Sequence, residues 1–116
     1  MKLILIDAVN KEVKEIEVSE KNHFEEMKFF MGVEWATIAR TESFDVWVDD
    51  EGLLKDPKHF FLIEGYPEPL AGNGIIANTD EEGNTISPTA TLEEIRNKVQ
   101  FVSVFDVVFG NYGEES

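Results

Sequence analysis

The region around residue 80 has residue types that could bind calcium. Four residues match positions 1, 3, 5 and 6 of the EF-hand loop, where carboxylate and amide oxygens ligate Ca²⁺: Asn78, Asp80, Glu82 and Gly83. Position 12 of that loop supplies a bidentate glutamate, but here it is Thr89. We therefore interpret this region as an acidic turn, and we predict no metal site and no cofactor.

A Gly-Asn-Gly segment raises a second possibility, a loop whose backbone amides hold a phosphate. The third glycine of a dinucleotide-binding loop and the Gly-Lys-Ser/Thr of a P-loop are both missing. The neighbouring carboxylates also oppose an anionic ligand, although a concave run of backbone N–H groups can still bind one. Gly72, Asn73 and Gly74 are therefore the predicted ligand-binding residues of an alternative function, small-molecule binding.

Acid–base catalysis needs a group that titrates near neutrality, and the chain has two histidines. His23 falls in the first turn of a charged helix, where we expect it to be solvated. His59 borders an apolar strand, where we expect it to be partly buried. No serine has the Gly-x-Ser-x-Gly context of a nucleophile, and no nucleophile, base and orienting group converge. We predict that the protein is not an enzyme and has no catalytic residues.

The net charge of −14 is the strongest compositional feature, with 24 acidic and 10 basic residues. Residues 41–84 carry 11 of the acidic residues and only 2 of the basic ones. Such a field repels nucleic acid and anionic lipid and attracts basic surfaces. We therefore predict a basic protein partner, without direct contact to nucleic acid or membrane. A charge that serves only solubility is the alternative.

An alternating segment at residues 44–48 places a tryptophan between acids. If Trp47 shares a face with Asp45 and Asp49, it is an exposed aromatic among carboxylates, which suits docking to a basic protein. The alternative is that Trp47 packs under a helix. The pattern Asp-Asp/Glu-Glu-Gly occurs at 49–52 and at 80–83 and predicts two hairpin tips. The predicted partner-binding residues are Asp45, Trp47, Asp49, Asp50, Glu51, Asp80, Glu81 and Glu82.

Two helices are predicted from capping residues followed by apolar stripes, at about residues 20–31 and 91–100. The capping pairs are Asn22 with Glu25 and Thr91 with Glu94. Gly32 supplies a natural stop for the first helix. The first segment, MKLILID, has too short an apolar run for a signal peptide or a membrane span, so we expect a cytoplasmic protein.

Short apolar runs predict the strands, of which the first two form a hairpin. The segment FVSVFDVVF at 101–109 is interpreted as one central strand, because it is rich in β-branched and aromatic residues. Asp106 interrupts it, and we expect this acid to pair with Arg96 or Lys98 or to lie at an exposed strand end. The predicted fold class is α+β, a mostly antiparallel sheet of five to seven strands with two short helices. Residues 1–110 are expected to form one domain, followed by a loose acidic tail at 111–116.

The order of these features resembles an uncharacterised family of small bacteriophage and mobile-element proteins, over about residues 1–100. The family shows a strand pair, a helix ending at glycine, an Asp-Glu-Glu-Gly-Leu turn followed by proline, and later a glycine before an apolar strand and a second acidic turn. The matching residues are Gly32, 50–53, Pro57, Gly72 or Gly74, 75–76 and 80–83. The resemblance implies a phage or mobile-element origin and no established activity.

These observations lead to one functional prediction and one alternative. The prediction is a non-enzymatic accessory protein that acts in the host cytoplasm and inhibits a basic, nucleic-acid-handling host protein of the restriction or CRISPR type. Clustered carboxylates would occupy a Lys/Arg groove that normally receives phosphates. The alternative is a protein that binds or sequesters a small molecule such as a nucleotide signal.

Overall fold

The structure, a computed structural model, describes residues 1–110, which form two antiparallel sheets and three helices. The strands are β1 (Lys2–Asp7), β2 (Glu12–Glu17), β3 (Ala36–Arg40), β4 (Asp45–Asp49), β5 (His59–Ile63), β6 (Leu70–Ala71), β7 (Gly74–Thr79), β8 (Thr85–Ile86) and β9 (Val99–Ser103). The helices are α1 (His23–Met31), α2 (Leu92–Lys98) and α3 (Val104–Phe109), and a 3-10 turn spans Gly52–Lys55. The predicted α+β class with mostly antiparallel strands is confirmed.

The first sheet has the strand order β2-β1-β7-β4-β3, with β8 added to β7. It consists of two hairpins, β1–β2 and β3–β4, joined by β7, which pairs antiparallel with both β1 and β4. The predicted hairpin of the first two strands is confirmed. A second sheet with the order β6-β5-β9 packs on one face of the first, so the strands divide between two sheets of six and three.

The main core lies between the two sheets, with α2 at its side. The most deeply buried side chains of this layer are Ile6, Val46, Phe61, Ile63, Ile76 and Ile95. Complete burial of such a side chain contributes roughly 1.5–3 kcal/mol. The other face of the first sheet packs against α1, so the core has two layers with the first sheet between them.

α1 packs on the sheet through an apolar stripe in which Met27 and Met31 are buried. Gly32 ends the helix as predicted, in the left-handed conformation at φ 74°. The predicted capping box is wrong, because Asn22 makes no side-chain cap and its ψ of 34° lies outside the extended region that capping requires. Glu26 instead accepts hydrogen bonds from the N–H and the hydroxyl of Ser19, both at 2.8 Å.

The second helix begins with the capping box that the sequence predicts. The N–H of Glu94 donates to Thr91 Oγ1 at 3.1 Å, and the N–H of Thr91 donates to the Glu94 carboxylate at 2.8 Å. Both predicted helices are therefore present, with shorter bounds than expected. In the part of the chain that the structure describes, no helix is long and apolar enough to cross a membrane. The predicted tail at 111–116 lies outside the described residues.

Residues 101–109 do not form the single strand that their composition predicts. β9 ends at Ser103, and α3 begins at the next residue. The N–H of Asp106 donates to Ser103 Oγ at 3.2 Å, and the N–H of Ser103 donates to the Asp106 carboxylate at 2.9 Å. This capping box outweighs the strand preference of the segment. Asp106 therefore pairs with Ser103, and neither Arg96 nor Lys98 is its partner.

Only the second of the two predicted acidic hairpin tips is a hairpin tip. Residues 80–83 turn β7 into β8, with Gly83 at φ 89°. Residues 49–52 lead instead into the 3-10 turn, which carries the chain from the first sheet to the second. The left-handed residue after that turn is Asp56, at φ 53°, and not Gly52. The two motifs differ because the strand that follows residues 49–52 is β5, which belongs to the second sheet and does not pair with β4.

Candidate partner-binding surface

The β4 side chains predicted to bind a partner all lie on the face of the first sheet that carries α1. Asp45, Trp47 and Asp49 alternate along β4, so they point to the same side. α1 covers the half of this face formed by β1, β2 and β7, where Met27 and Met31 are buried. The half formed by β3 and β4 is less covered, and Trp47 there is only half-buried.

A groove, here named the tryptophan groove, runs between α1 and the β3–β4 half of the sheet. It encloses about 180 Å³ and is lined by Phe24, Met27, Lys28, Trp35, Ala36 and Trp47. The rings of Phe24 and Trp47 meet edge to face with centroids 5.3 Å apart. Trp47 thus combines both sequence interpretations, since α1 covers one side of it and another side lines an open groove.

Trp35 lines the groove and lies just before β3. β3 begins at the following residue, and Trp35 exposes 62% of its surface. Lys28 Nζ lies 5.7 Å from the centroid of its ring, within the range of a cation–π interaction. An exposed tryptophan with a polar neighbour is a common anchor in protein interfaces.

Asp45 is not available for a partner, contrary to the sequence prediction. Its side chain is buried, with 6% of the residue exposed. The hydroxyl of Thr79 donates to Asp45 Oδ2 at 2.5 Å, and Arg40 Nη1 lies 3.7 Å from Oδ1. Since a buried carboxylate is costly unless it is paired, these two groups account for its position.

Four carboxylates form what we call the acidic corner, at the end of β4 beside Trp35: Glu34, Asp49, Asp50 and Glu51. Lys55 Nζ lies 2.9 Å from Asp49 Oδ2. This hydrogen bond raises the pKa of Lys55, and the nearby Glu51 and Glu34 carboxylates add to the effect. The positive charge of Lys55 therefore compensates the negative charge of Asp49. The other three acids are exposed and make no ion pair within residues 1–110.

The second acidic turn lies at the opposite end of the same sheet. β4 and β7 are antiparallel, with Trp47 opposite Ile75. Asp50 follows Trp47 by three residues, and Asp80 follows Ile75 by five in the opposite direction. At a rise of about 3.4 Å per residue, the two turns are roughly 27 Å apart. The eight predicted residues therefore do not form one continuous patch.

Asp80 has a structural task within its own turn. Its Oδ1 accepts hydrogen bonds from the backbone N–H groups of Asn84 at 2.8 Å and Glu82 at 2.9 Å. The Asn84 bond is the main cause of a lowered pKa for Asp80. Glu81 and Glu82 remain exposed. Within residues 1–110, no three His, Asp or Glu side chains are grouped so that they could hold a metal ion.

The Gly-Asn-Gly segment links β6 of the second sheet to β7 of the first. Gly72 has a φ of 80°, and its N–H donates to the carbonyl oxygen of His59 at 2.9 Å. Asn73 Oδ1 accepts a hydrogen bond from the N–H of Ala8 at 2.8 Å. A Cβ at Gly74 would lie 2.7 Å from Cζ of Phe61. These contacts explain all three residue types without a ligand.

A cavity of about 580 Å³ lies between the start of α1 and the β7–β8 hairpin, and no pattern in the sequence predicts it. It is lined by Met1, Glu20, His23, Phe24 and residues 83–87. His23 Nδ1 lies 3.1 Å from the carbonyl oxygen of Glu20, to which it donates, so in the neutral ring Nε2 is the acceptor. Nε2 is buried and has no hydrogen-bond partner among the described residues.

Both expectations about the histidines are wrong. His23 is half-buried, because the β7–β8 hairpin, which is distant in sequence, packs beside the first turn of α1. His59 is exposed, because it is the first residue of β5 and lies at the end of the second sheet. Neither effect is visible in local sequence patterns.

Comparison with known proteins identifies a family. A protein-family profile described as a domain of unknown function, DUF3846, matches residues 1–100. Searches of curated proteins and of solved structures gave no match. The predicted likeness to an uncharacterised family over this range is confirmed, whereas a phage or mobile-element origin stays a prediction. The chain belongs to the DUF3846 family, whose domain is one of unknown function.

Proposed function

We propose that this protein is a non-enzymatic accessory protein of a phage or mobile element that acts in the host cytoplasm. It binds and inhibits a basic host protein that handles nucleic acid, of the restriction or CRISPR type. The supporting observation is the position of the acidic corner directly beside the tryptophan groove. The N–H of Asp50 donates to the carbonyl oxygen of Trp35 at 2.9 Å, so the two features are contiguous.

The acidic corner supplies the charge complementarity that this function needs. Glu34, Asp50 and Glu51 are exposed carboxylates that form no ion pair within residues 1–110, and Lys55, the cation near Glu34 and Glu51, is bonded to Asp49, so a partner's lysines and arginines can approach these three acids. A groove that normally receives phosphates presents such cations. Electrostatic complementarity of this kind mainly increases the association rate and selects the partner.

The tryptophan groove supplies the apolar part of the interface. Trp35 and Phe24 expose 62% and 48% of their surfaces, and both line the groove. Aromatic side chains at the centre of an interface carry a large share of binding energy, and charged rim residues carry less. The partner therefore places an apolar side chain in the groove and its basic side chains over the corner.

The second acidic turn lies within reach of the same partner. A standard interface covers about 800 Å² on each protein, which corresponds to a patch roughly 30 Å across. Glu81 and Glu82, at the far end of the sheet, would then lie at its edge. We therefore expect them to contribute less to binding than Asp50 and Glu51 do.

The experiment begins with a pull-down of the tagged protein from nuclease-treated bacterial lysate, at low and at high salt. We expect a basic nucleic-acid enzyme that is captured at low salt and lost at high salt. Three double variants of equal charge change then locate the contact: D50N/E51Q in the corner, E81Q/E82Q in the distant turn, and E12Q/E15Q on β2. The corner variant should weaken binding most and flatten its salt dependence. Equal effects of all three would leave only a net-charge effect and contradict the proposal.

The cavity at His23 supports the second candidate, small-molecule binding. In the neutral ring the unpartnered Nε2 atom of His23 is available to accept a hydrogen bond from a ligand, and Phe24 offers a ring for stacking. Glu20 also lines the cavity, so its carboxylate favours the uncharged base of a nucleotide there and disfavours the phosphate. A retained nucleotide would appear as excess absorbance at 260 nm and would be released by heating. If the H23A variant loses the excess absorbance and the G72A variant keeps it, the ligand binds in the cavity at His23 and not at the Gly-Asn-Gly segment.

A further inference from the structure

β3 is an edge strand of the first sheet, and its outer side has no partner strand among the described residues. It pairs with β4 alone. The backbone N–H of Thr41 donates to the carbonyl oxygen of Phe44. At the other end of the pair, the backbone N–H of Asp50 donates to the carbonyl oxygen of Trp35. Antiparallel strands exchange hydrogen bonds at every second residue. Thr37 and Ala39 therefore bond to β4, while the N–H and C=O groups of Ala36, Ile38 and Arg40 point away from it.

The opposite edge of the same sheet is protected. At β2, the Nε–H of Arg96 donates to the outward carbonyl oxygen of Val13 at 3.2 Å, and α2 packs beside the strand. No side chain makes such a bond to Ala36, Ile38 or Arg40 in residues 1–110. Natural proteins usually block exposed sheet edges, because an open edge invites pairing with another chain. The contrast between the two edges points to β3 as a place where pairing occurs.

We propose that β3 is the docking edge for an extended, basic segment of a partner protein, which adds to the first sheet as a further strand. This inference rests on the proposed function and specifies the shape of the segment that is bound. Strand addition of this kind uses main-chain hydrogen bonds for affinity and side-chain pockets for specificity.

The side chains around β3 define which segment fits. Ala36 and Ile38 point to the face that carries the tryptophan groove, since Ile38 lies opposite Trp47. An added strand therefore places every second side chain beside that groove, where an apolar residue is favoured. Carboxylates flank both ends of β3, with Glu34 and the acidic corner before it and Glu42 after it. These acids favour basic residues at the ends of the bound segment. A second copy of this chain is disfavoured by its net charge of −14.

The test uses a fluorescein-labelled synthetic peptide, RKVTFTVKR, which has basic ends and an alternating centre. Binding is measured by fluorescence anisotropy, with EEVTFTVEE as the charge-reversed control. Amide hydrogen exchange of the protein is then followed by NMR. In the free protein we expect the amides of Thr37 and Ala39, which bond to β4, to exchange slowly, and the outward amides of Ala36, Ile38 and Arg40 to exchange fast. At a peptide concentration ten times Kd, we expect these last three amides to slow about tenfold.

Two variants test the main-chain contact. I38P removes one outward N–H, which an edge strand tolerates because that group makes no bond to β4. I38A shortens the same side chain and keeps the N–H, so it is the matched control. We expect I38P to weaken peptide binding more than I38A does. If circular dichroism shows that I38P is unfolded, the inference is tested by amide exchange of the wild-type protein with and without peptide.

Three results would overturn the inference. The peptide fails to bind, or it binds without slowing exchange at Ala36, Ile38 and Arg40, or these amides become protected without peptide as protein concentration rises. The third result would assign the edge to a second copy of the chain. None of these results decides the proposed function. That function fails if the pull-down captures no basic nucleic-acid enzyme, or if D50N/E51Q weakens binding no more than the other two double variants.

Discussion

Asp45 and Thr79 join two neighbouring strands through a side-chain hydrogen bond, in which the Thr79 hydroxyl donates to Asp45 Oδ2 at 2.5 Å. β4 and the end of β7 are thereby held together at the end of the sheet that carries the second acidic turn. Asp45 is almost fully buried, so its contribution is to the fold and not to a binding surface.

Replacement of Asp45 by alanine is expected to lower the free energy of unfolding by about 1–3 kcal/mol, because the part-buried hydrogen bond from the Thr79 hydroxyl to the Asp45 carboxylate is lost. Urea denaturation followed by circular dichroism measures this change. Asp50→Ala is the control, because this acid is exposed and its backbone bond is kept; we expect a change within about 0.5 kcal/mol. Equal small effects at both positions would show that the Thr79 bond contributes little.

The contact between Gly74 and Phe61 predicts a strong effect of a single methyl group. A Cβ at Gly74 would lie 2.7 Å from Phe61 Cζ, and Phe61 is fully buried. Gly74→Ala should therefore destabilise the protein by roughly 1–3 kcal/mol through overpacking. Combining it with Phe61→Leu should cost less than the sum of the two single changes. Strict additivity in that double-mutant cycle, measured by urea unfolding, would contradict a direct clash.

The Glu26 carboxylate predicts a specific pH dependence of stability. Hydrogen bonds from the backbone N–H and hydroxyl of Ser19 hold the pKa of Glu26 below its ordinary value of 4.5. The stabilisation is therefore fully present above pH 4.5 and is lost as the pH falls through the lowered pKa. Glu26→Gln should have a lower urea midpoint than wild type at pH 7, and the difference should shrink in acid.

Glu15→Gln is the control for that measurement, because Glu15 is exposed on β2 and makes no ion pair in the described part of the chain. It should leave the midpoint near that of wild type at pH 7. A Glu26→Gln difference that persists unchanged in acid would show that the Ser19 bonds do not depend on the ionised carboxylate.

The edge-to-face contact of Phe24 with Trp47 predicts a fluorescence change. Trp35→Phe leaves Trp47 as the single tryptophan, since the chain has two. In that background, Phe24→Ala should shift the Trp47 emission to longer wavelength and increase quenching by acrylamide, a neutral quencher that the negative protein does not repel. Phe29→Ala is the control, because Phe29 is 82% exposed and contacts Phe30 at a centroid distance of 6.0 Å. Identical spectra for both variants would mean that Phe24 does not cover Trp47.

Features set by neighbouring residues were predictable from sequence. The Thr91–Glu94 capping box, the stop at Gly32 and the alternation of β4 each depend on a few adjacent positions. The Ser103–Asp106 capping box was equally local, but the strand preference of the surrounding apolar residues concealed it. Trp47 shares one face with Asp45 and Asp49, the condition that the alternating sequence suggested, because side chains in a strand alternate with period two.

Features set by distant residues were not predictable from this single sequence. Asp45 is buried because Thr79, which lies 34 residues away, supplies its donor. The 49–52 turn fails to make a hairpin because β5 pairs with β9 and not with β4. The cavity at His23 exists because residues 83–87 fold beside α1. Local patterns contain no information about these pairings, which are decided when the two sheets form.

The position of β7 between the two hairpins has a consequence for how the chain folds. Ile4 of β1 pairs with Ile76 of β7. β1 therefore pairs with a strand that is distant in sequence. An isolated two-stranded hairpin is at best marginally stable in water, and long-range strand pairing is slow. The β1–β2 and β3–β4 hairpins precede residues 74–79 in the chain, so during synthesis we expect their apolar faces to stay uncovered until β7 inserts between them. Residues 1–73 contain 16 acidic and 8 basic residues, and this negative excess keeps incompletely folded chains apart.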